Sequence, residues 1–396
     1  MKICVLMQEI QTLGGLQRVV TTLLNELVKN PAYEVCIISP ITEDCEQLYP
    51  VSEKIKLYNS RGLREISFPF RVLRKINKMT AFFQKKQFTD FIDEQYFPKQ
   101  MIEKYGEILE EEKADCVVGA GAYYAILASK VAKQLHIPCV AWLHSTFEGY
   151  FNMSEHDTYG MLLLFEKYAS FMNELLVLMD KDREVFMERV RTLKSNPVVF
   201  YNPLTIPVVE KSVSGNKQLL FVGRLNMEVK GIDLLVPIMK RVCSVFPDVK
   251  LNIVGDGADK DKLLALIGQE HLEKNIVLRG QTNQVQKYYE QSSLLLVTSR
   301  YEGFGLVITE AMAHGIPVVA FHAYGPDEII QDSVNGYLFE QGDVDGYADG
   351  VIRILNDKET WKQLSEEAVR RADDFRLDVI LEEFIRILER VVYGTE

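Results

Sequence analysis

The sequence lacks any long apolar run, since no stretch of its 396 residues approaches the roughly 20 apolar residues that a helix needs to cross a bilayer. It also lacks a recognisable signal sequence at its start. Cysteine is scarce, and its spacing matches no metal site. The six cysteines are Cys4, Cys36, Cys45, Cys116, Cys139 and Cys243. These absences argue against a membrane-spanning or secreted protein and predict a cytoplasmic protein with reduced thiols.

Excess basic charge is missing as well, because the formal net charge is -11. The acidic balance and the lack of a nucleic-acid-binding motif argue against a protein that binds nucleic acid.

A chain of 396 residues is too long for one ordinary core, and it predicts two domains of roughly 200 residues each. The hydrophobic fraction of 47% is sufficient to bury both cores.

Apolar runs that are typical of buried strands alternate with longer helical stretches along the whole chain. In the first half they are residues 3–7, 35–39, 55–58, 116–118, 138–142 and 175–178. In the second half they are residues 219–222, 250–254, 275–278, 293–297, 317–320 and 336–339. This alternation predicts an α/β protein with two doubly wound, Rossmann-like domains, each with a parallel sheet between helices.

The segment 299–310, Ser-Arg-Tyr-Glu-Gly-Phe-Gly-Leu-Val-Ile-Thr-Glu, places Glu302 and Glu310 eight residues apart around a Gly-x-Gly turn. It follows an apolar run and predicts a buried strand, a tight turn and a helix entered at about Leu306. Unpaired amides at a helix N-terminus attract phosphate, and glycines let ligand oxygens approach the backbone. The segment therefore predicts a site for a nucleotide diphosphate sugar, although two glutamates near a helix start could simply favour the dipole.

A second strand-to-helix loop carries two cations, Arg224 and Lys230, between the run 219–222 and the helical pattern 232–245. Arg224 can make forked contacts to phosphate oxygens, and Lys230 supplies a mobile point charge. Both loops follow the carboxyl ends of strands, where ligands bind in open parallel sheets. Alone, the two cations are typical of a solvated loop. Beside the two-glutamate segment they indicate a phosphate site.

Together these loops resemble the nucleotide-sugar-binding half of retaining glycosyltransferases of family four, the glycosyl transferases of group 1. The resemblance spans nearly the whole chain and is most specific from 219 to 338. Further motifs that carry it are Gly14-Gly15-Leu16-Gln17-Arg18, Tyr201-Asn202-Pro203, Gly325-Pro326-Asp327-Glu328-Ile329-Ile330 and Asn335-Gly336. Two positions depart from the family pattern, because Gln17 replaces a common Glu and Gly325-Pro326 replaces a commoner pair of glycines.

The resemblance implies the GT-B fold, in which two Rossmann-like domains face each other across a cleft. Residues 1–202 would bind the acceptor, residues 203–376 would bind the nucleotide sugar, and residues 377–396 would form a helix that crosses back to the N-terminal domain. It further implies a configuration-retaining hexosyltransferase that needs no metal ion or other cofactor. The donor would be a nucleotide diphosphate sugar, UDP-linked by default, and the acceptor a saccharide or lipid-linked glycan in cell-surface polysaccharide or lipopolysaccharide synthesis.

The resemblance also assigns roles to single residues. Glu302 would contact hydroxyls of the transferred sugar, and Glu310 would accept hydrogen bonds from the ribose hydroxyls. Arg224 and Lys230 would stabilise the charge that develops on the departing diphosphate. The other predicted donor-binding residues are Gly14, Gly15, Gly223, Gly280, Gln281, Gly303, Phe304, Gly305, Leu306 and Val307. No Asp-x-Asp metal motif stands in a suitable place, because Asp256 and Asp259 have the wrong spacing.

His144 and the Gly14-Gly15 pair rest on weaker signals. His144 lies at the predicted carboxyl end of a strand, where a lone histidine is usually structural. By resemblance, however, it would orient the donor sugar as part of the catalytic set. Gly14-Gly15 resemble the family's loop that closes on the diphosphate, but a simple strand-to-helix turn would use the same residues.

One segment is strongly basic within this acidic chain, since residues 61–86 contain eight Lys or Arg and a single acid, Glu65. Interleaved phenylalanines suggest docking on an anionic membrane surface, which would make the protein peripheral on the inner face of the cell membrane. A solvated helix face explains the pattern equally well. Two other functional classes stay open: a nucleotide-sugar epimerase of similar two-domain shape, and a nucleic-acid-binding protein that uses the basic segment.

Overall fold

The computed structural model describes residues 1–12, 14–42, 49–63, 72–73, 75–77, 84–153, 157–208 and 216–394. The chain forms two compact units. The N-terminal unit comprises Met1–Pro203 and Leu377–Glu396, and the C-terminal unit comprises Leu204–Arg376. Most of the basic segment 61–86 lies outside the described residues, and so does Cys45. None of the helices within the described ranges combines the length and apolar character that a membrane span requires.

The N-terminal unit contains a parallel sheet of seven strands in the order β3-β2-β1-β4-β5-β6-β7. The strands are β1 (Lys2–Leu6), β2 (Glu34–Ser39), β3 (Lys56–Asn59), β4 (Cys116–Ala120), β5 (Cys139–Trp142), β6 (Glu174–Val177) and β7 (Val198–Val199). The α-helices are α1 (Gly15–Leu27), α2 (Thr89–Tyr96), α3 (Lys99–Glu111), α4 (Ala122–Leu135), α5 (Phe147–Phe151), α6 (Leu162–Ala169), α7 (Asp180–Arg189) and α16 (Leu377–Tyr393). Strands β4 and β5 are buried along their whole length, which explains their continuous apolar sequences.

The C-terminal unit contains a parallel sheet of six strands in the order β10-β9-β8-β11-β12-β13. The strands are β8 (Gln218–Val222), β9 (Lys250–Val254), β10 (Ile276–Gly280), β11 (Leu294–Val297), β12 (Val318–Phe321) and β13 (Gly336–Phe339). The α-helices are α8 (Met227–Lys230), α9 (Leu235–Val245), α10 (Lys260–Gln269), α11 (Gln286–Gln291), α12 (Leu306–Ala313), α13 (Tyr324–Ile329), α14 (Val344–Asn356) and α15 (Lys358–Ala372).

All twelve predicted strands are present, so the prediction of two doubly wound parallel sheets is confirmed. Strand β7 was not predicted, because it has only two half-buried residues at the edge of the sheet. The helical pattern from Ile232 begins as a 3₁₀ turn, Ile232–Leu234, before α9. The short helix α8 was also not predicted, since four residues are too few to show helical periodicity.

Both sheets reverse their strand order at one point, between β1 and β4 in the N-terminal unit and between β8 and β11 in the C-terminal unit. The loops that leave neighbouring strands at such a reversal separate and open a crevice at the carboxyl edge of the sheet, where α/β proteins bind ligands. In the C-terminal unit, the two loops at the reversal are those that carry Arg224, Lys230 and Glu302.

The helix α16 packs on the core of the N-terminal unit although it lies at the far end of the sequence. Phe384 in α16 places its ring centroid 5.2 Å from that of Trp142, the fully buried last residue of β5. Polar contacts tie the same helix to the sheet, since Arg390 Nη2 lies 2.8 Å from Glu174 Oε1 and Tyr33 donates a hydrogen bond of 2.8 Å to Glu389.

A buried carboxylate, Glu112, ties two strands of the N-terminal sheet to the end of α3. Its side chain is 4% exposed and lies 2.5 Å from the ammonium of Lys2 in β1. Lys56 and Tyr58 in β3 also donate hydrogen bonds to it. Burial alone would raise the pKa of Glu112, but these hydrogen bonds lower it to about 2.

We expect Glu112→Gln to destabilise the N-terminal unit at pH 7 by about 2 kcal/mol, because the charged acceptor is lost. The carboxylate has a lower pKa when folded than when unfolded, so its contribution is complete above about pH 4.5 and disappears as the pH falls towards 2. Urea unfolding followed by Trp142 fluorescence in a Trp361→Phe background would measure this. The exposed neighbour Glu111→Gln is the control. A difference between variant and parent that is equal at pH 7 and pH 3 would contradict the assignment.

Candidate active site

The loops after β8 and β11 are joined by hydrogen bonds to backbone carbonyl groups. The amide of Arg300 donates to the carbonyl of Val229 at 2.9 Å, and Thr298 Oγ1 donates to the carbonyl of Lys230 at the same distance. Gly231 has a positive φ of 59°, and a Cβ there would lie 2.0 Å from the Thr298 carbonyl oxygen. Only glycine permits this close approach, which brings the two predicted phosphate loops together.

Lys230 and Glu302 form an ion pair at this junction. Lys230 Nζ lies 2.5 Å from Glu302 Oε2, and Ser299 Oγ donates to the same oxygen at 3.3 Å. The side chains are only 23% and 12% exposed. The stem of Lys230 runs beside Gly223, where a Cβ would lie 3.9 Å from Lys230 Cδ. The structure thus brings three predicted site residues together, with the stem of Lys230 beside Gly223 and its ammonium against the Glu302 carboxylate.

Arg224 lies in the same loop with a different environment. Its side chain is exposed and makes no hydrogen bond or ion pair with any residue that the structure describes. The guanidinium can therefore bind an anion without first breaking an internal contact. The chain is acidic overall, yet this arginine lies beside the sheet reversal and has no acidic partner among the described residues. It therefore indicates a site for a negatively charged ligand.

Helix α12 begins at the Gly-x-Gly turn, as the sequence predicts. Gly305 caps the helix with a φ of 93° and provides no side-chain cap. The amides of Leu306 and Val307 have no hydrogen-bond partner within the described ranges, whereas the next amide, Ile308, donates to the Gly305 carbonyl at 2.8 Å. These free N–H groups and the helix dipole form an anion-binding end. Glu302 lies directly beside it, since a Cβ on Gly305 would meet Glu302 Cγ at 3.4 Å.

The side chain of Phe304 is buried in the protein. It is 4% exposed and packs edge-on against Phe375 at a centroid distance of 5.7 Å. Its predicted contact with the donor can therefore come only from the backbone in this conformation. A hydrogen bond of 3.0 Å from the Gly325 amide to the Glu302 carbonyl also stabilises the turn that contains Phe304.

Glu310 is held by hydroxyl groups that were not predicted from the sequence. The side chain is 1% exposed, with Oε1 accepting from Thr205 at 3.1 Å and Oε2 accepting from Tyr289 at 3.0 Å. The Tyr289 ring stacks on His314, whose Nδ1 lies 2.7 Å from the Glu310 carbonyl oxygen. Each carboxylate oxygen has two lone pairs and can accept more than one hydrogen bond.

Gly280 and Gln281, two of the predicted donor-binding residues, lie at the end of β10 and directly after it. Gly280 ends this strand in a left-handed conformation with a φ of 73°, and its carbonyl accepts a hydrogen bond of 2.9 Å from the Gly255 amide at the end of β9. Gln281 is exposed. The nearby acids Asp256 and Asp259 have structural roles, because Asp256 accepts from the Gly257 amide at 2.8 Å and Asp259 accepts from the Met227 amide at 2.9 Å.

The N-terminal unit has its own cavity at the carboxyl edge of its sheet, with a volume of about 430 Å³. It is bordered by Leu16 at the start of α1, Gly121 after β4, and His144 after β5. The structure therefore places His144 close to the predicted Gly14-Gly15 turn. Tyr150 and Ser145 also line this cavity and were not predicted. Ser145 follows the central strand β5 closely, and this position could have indicated it, whereas Tyr150 lies in the short helix α5.

Gln17 stabilises the turn that contains Gly14 and Gly15. The Gln17 side chain is 1% exposed, and its Nε2 donates to the Glu9 carbonyl at 3.0 Å and to Thr12 Oγ1 at 2.6 Å. A glutamate could not donate these bonds, so this chain uses an amide where the family often has an acid. A Cβ at Gly14 would lie 2.4 Å from Gln17 Oε1, which explains a small residue there.

His144 is an uncharged side chain at neutral pH. Burial lowers the pKa of His144 to about 3, although the polar side chain of the neighbouring Asn202 acts in the opposite direction. The ring lies beside Trp142, with centroids 4.5 Å apart. The neutral imidazole can donate or accept a hydrogen bond from a hydroxyl, but it cannot provide a fixed positive charge.

We expect the His144 ring to show no protonation between pH 8 and pH 5. Because its pKa is lowered below the unfolded value of about 6.5, folding is favoured by this group above that pH and loses the contribution as the pH falls towards 3. Nitrogen NMR of histidine-labelled protein would measure the titration, and the signal missing in His144→Gln would assign it. A midpoint above pH 5 would contradict the burial of the ring.

The chain has two Rossmann-like units, and the second sheet carries cations and free amides where its strand order reverses. These features are typical of proteins that bind anionic nucleotide ligands. Residues 205–371, which make up nearly all of the C-terminal unit, match the family model described as glycosyl transferases group 1. An uncharacterized glycosyltransferase of Haemophilus influenzae is 26% identical over 98% of this chain and 99% of its own length.

Two further comparisons agree. A poly(ribitol-phosphate) alpha-N-acetylglucosaminyltransferase of Staphylococcus aureus is 30% identical over 60% of this chain and 50% of its own. The crystal structure of HepE from Anabaena in complex with UDP has a TM-score of 0.76 and 18% identity over 98% of this chain and 100% of that chain. Residues 205–371 therefore belong to the glycosyl transferases group 1 family. The prediction that the chain is a glycosyltransferase with the GT-B fold is confirmed.

Proposed function

We propose that this glycosyltransferase moves a hexose from a UDP-linked donor to a saccharide or lipid-linked acceptor in cell-surface polysaccharide synthesis, with retention of configuration. The observation that carries this proposal is the cluster at the sheet reversal of the C-terminal unit. There, Lys230 is paired with Glu302 at 2.5 Å, next to the free amides of Leu306 and Val307. Such a cluster places positive charge next to a carboxylate that can bind a sugar, so that one nucleotide sugar can contact both.

The diphosphate of the donor binds to the cations and the amides. When the anomeric carbon–oxygen bond breaks, negative charge accumulates on the departing diphosphate. The ammonium of Lys230, the guanidinium of Arg224 and the N-terminal dipole of α12 stabilise this charge more strongly than they stabilise the intact donor. In this proposal these groups supply the charge stabilisation that a metal ion supplies in other transferases, so the reaction proceeds without one.

Glu302 binds hydroxyls of the transferred sugar, and Glu310 binds the ribose. A carboxylate paired with an ammonium is a good hydrogen-bond acceptor but a poor nucleophile, because its charge is already compensated. We therefore favour a front-face substitution. The new bond from the acceptor oxygen forms on the face that the diphosphate leaves, and the acceptor proton passes to the departing phosphate oxygen.

The acceptor binds to the N-terminal unit, in the cavity that contains His144, which gives this residue a contact with the acceptor in place of the donor-sugar contact that the resemblance implies. Its neutral imidazole and the hydroxyls of Tyr150 and Ser145 suit a ligand rich in hydroxyl groups. The Staphylococcus aureus relative is named for transfer to poly(ribitol-phosphate), and the Anabaena structure contains UDP. These names support a UDP-linked donor and a polyhydroxylated polymer as acceptor.

The direct test is UDP release by the purified full chain with a panel of UDP sugars and oligosaccharide acceptors. Thermal shift selects the donor first, because a ligand that binds only the folded state raises its melting temperature. We expect release that requires an acceptor, that continues in EDTA, and that yields a product with the donor's anomeric configuration by proton NMR. Conversion of the donor sugar without any acceptor would favour an epimerase, and the absence of any nucleotide release would exclude both enzymes.

We further propose that residues 61–86 attach the enzyme to an anionic membrane surface, on the basis of their eight cations. Charge reversal at Arg71, Arg74, Lys75 and Lys78 should abolish sedimentation with phosphatidylglycerol vesicles at low salt. Phosphatidylcholine vesicles are the control and should not bind either protein. Unchanged sedimentation of the variant would show that this segment is only a solvated surface.

A further inference from the structure

A second hollow lies on the C-terminal unit, beside the predicted donor-binding residues Gly280 and Gln281. Its volume is about 410 Å³, and it lies between helix α11 and one face of strands β8, β9 and β10. All nine lining side chains carry hydrogen-bonding groups, and none is an acid. Gly280 and Gln281 do not line it, although their neighbours Arg279 and Thr282 do. The proposed transfer reaction uses none of these side chains.

A row of polar residues crosses three adjacent strands at the floor of this hollow. Arg279 Nε in β10 donates to Asn252 Oδ1 in β9 at 2.8 Å, and Asn252 Nδ2 donates to Gln218 Oε1 in β8 at 3.2 Å. Asn252 is only 7% exposed. A parallel sheet normally presents Val, Ile or Leu at such positions, because an apolar helix covers them. Here the polar row fixes the orientation of the Arg279 guanidinium.

Two cations of the hollow lack acidic partners. Lys287 Nζ donates to the neutral Gln284 at 2.7 Å, and the terminal nitrogens of Arg279 have no partner among the described residues. Several other exposed cations of this unit pair with acids. Such pairs include Lys217 with Asp248, Arg241 with Asp349, and Arg300 with Asp233. In a chain of net charge -11, the hollow is therefore a local site of uncompensated positive charge.

We propose that this hollow binds a hydroxylated oxyanion, either a sugar phosphate or a sugar carboxylate. The forked guanidinium of Arg279 and the ammonium of Lys287 bind the oxyanion. Gln218 and the Tyr288 hydroxyl, which also lines the hollow, provide hydrogen bonds for ligand hydroxyls. The ligand is a free sugar phosphate or an acidic residue of a glycan, and the two sources differ in their anionic group.

Isothermal titration calorimetry on the full chain tests this proposal, with saturating UDP present so that the predicted donor site is filled. Glucose 1-phosphate and glucuronate are the two probes, and neutral glucose is the control. We expect at least one of the two anions to bind and glucose not to bind. Tighter binding of the phosphate identifies a sugar phosphate as the ligand class, and tighter binding of the carboxylate identifies an acidic glycan.

Arg279→Gln should weaken this binding at least about tenfold, the effect of losing one charged hydrogen bond. Lys287→Gln is a second variant that leaves the Arg279–Asn252 bond intact, and it should weaken binding in the same direction. Lys262→Gln, on a surface lysine paired with Asp259, is the matched control and should bind normally. Binding that disappears when UDP is added, or that is equal in Arg279→Gln and the parent, would overturn the proposal.

Discussion

Replacing Lys230 by Met should reduce kcat/KM for sugar transfer by about 10²–10³-fold, the usual effect of removing one preorganised group that stabilises transition-state charge. The methionine keeps the length of the stem beside Gly223 but removes the ammonium that lies 2.5 Å from Glu302. Steady-state UDP release with the preferred donor would measure the loss. We expect most of it in kcat, because the charge develops as the anomeric bond breaks.

The matched control for this variant is Lys217→Met, since Lys217 lies in the same unit and is paired with Asp248 at 2.8 Å. It should retain parental activity. The variant Lys230→Met also leaves Glu302 without its cation, so the double variant Lys230→Met with Glu302→Gln separates the two effects. If Lys230→Met keeps a near-parental kcat, the ammonium does not take part in the proposed mechanism.

The two glutamates of the Gly-x-Gly segment should respond differently to substitution. Glu310→Ala should weaken UDP binding by about tenfold or more with a smaller effect on turnover, because the ribose loses a charged acceptor. Glu302→Ala should lower kcat by about 10²-fold with UDP affinity nearly unchanged, since its proposed contacts are to the transferred sugar. Calorimetry with UDP and initial-rate kinetics would measure the two quantities.

Glu310 is buried under Thr205 and Tyr289, so Glu310→Gln is a useful second variant that keeps its shape. It should weaken UDP binding while the melting temperature stays close to that of the parent. The exposed Glu273→Ala serves as the surface control. Equal losses of UDP affinity in the Glu302 and Glu310 variants would refute the division of roles.

Much of the fold could be predicted because buried parallel strands have continuous apolar sequences. Strand β11, for example, reads Leu-Leu-Leu-Val and is buried at every residue. Strand β7 and helix α8 could not be predicted, since two and four residues give no measurable periodicity. Strand order was also beyond the sequence pattern, because the pairing of β8 with β11 depends on contacts between distant residues.

The site was predictable in its elements but not in its contacts. The spacing of Gly303 and Gly305 indicated the entry to α12, because helix starts have a local signature. The Lys230–Glu302 ion pair could not be predicted, since the two residues lie 72 positions apart in the sequence. The hydrogen bonds from Thr205 and Tyr289 to Glu310 were missed for the same reason. Such contacts arise only when the strands are ordered in the sheet.

The N-terminal unit is made of two separate segments of the chain, and this affects when it can finish folding during synthesis. A nascent chain that has emerged from the ribosome as far as Arg376 already contains all seven strands of the first sheet but not Phe384. Until the last helix is translated, the indole of Trp142 lacks one of its aromatic neighbours. The first-made unit can therefore be completed only after the whole C-terminal unit has been translated.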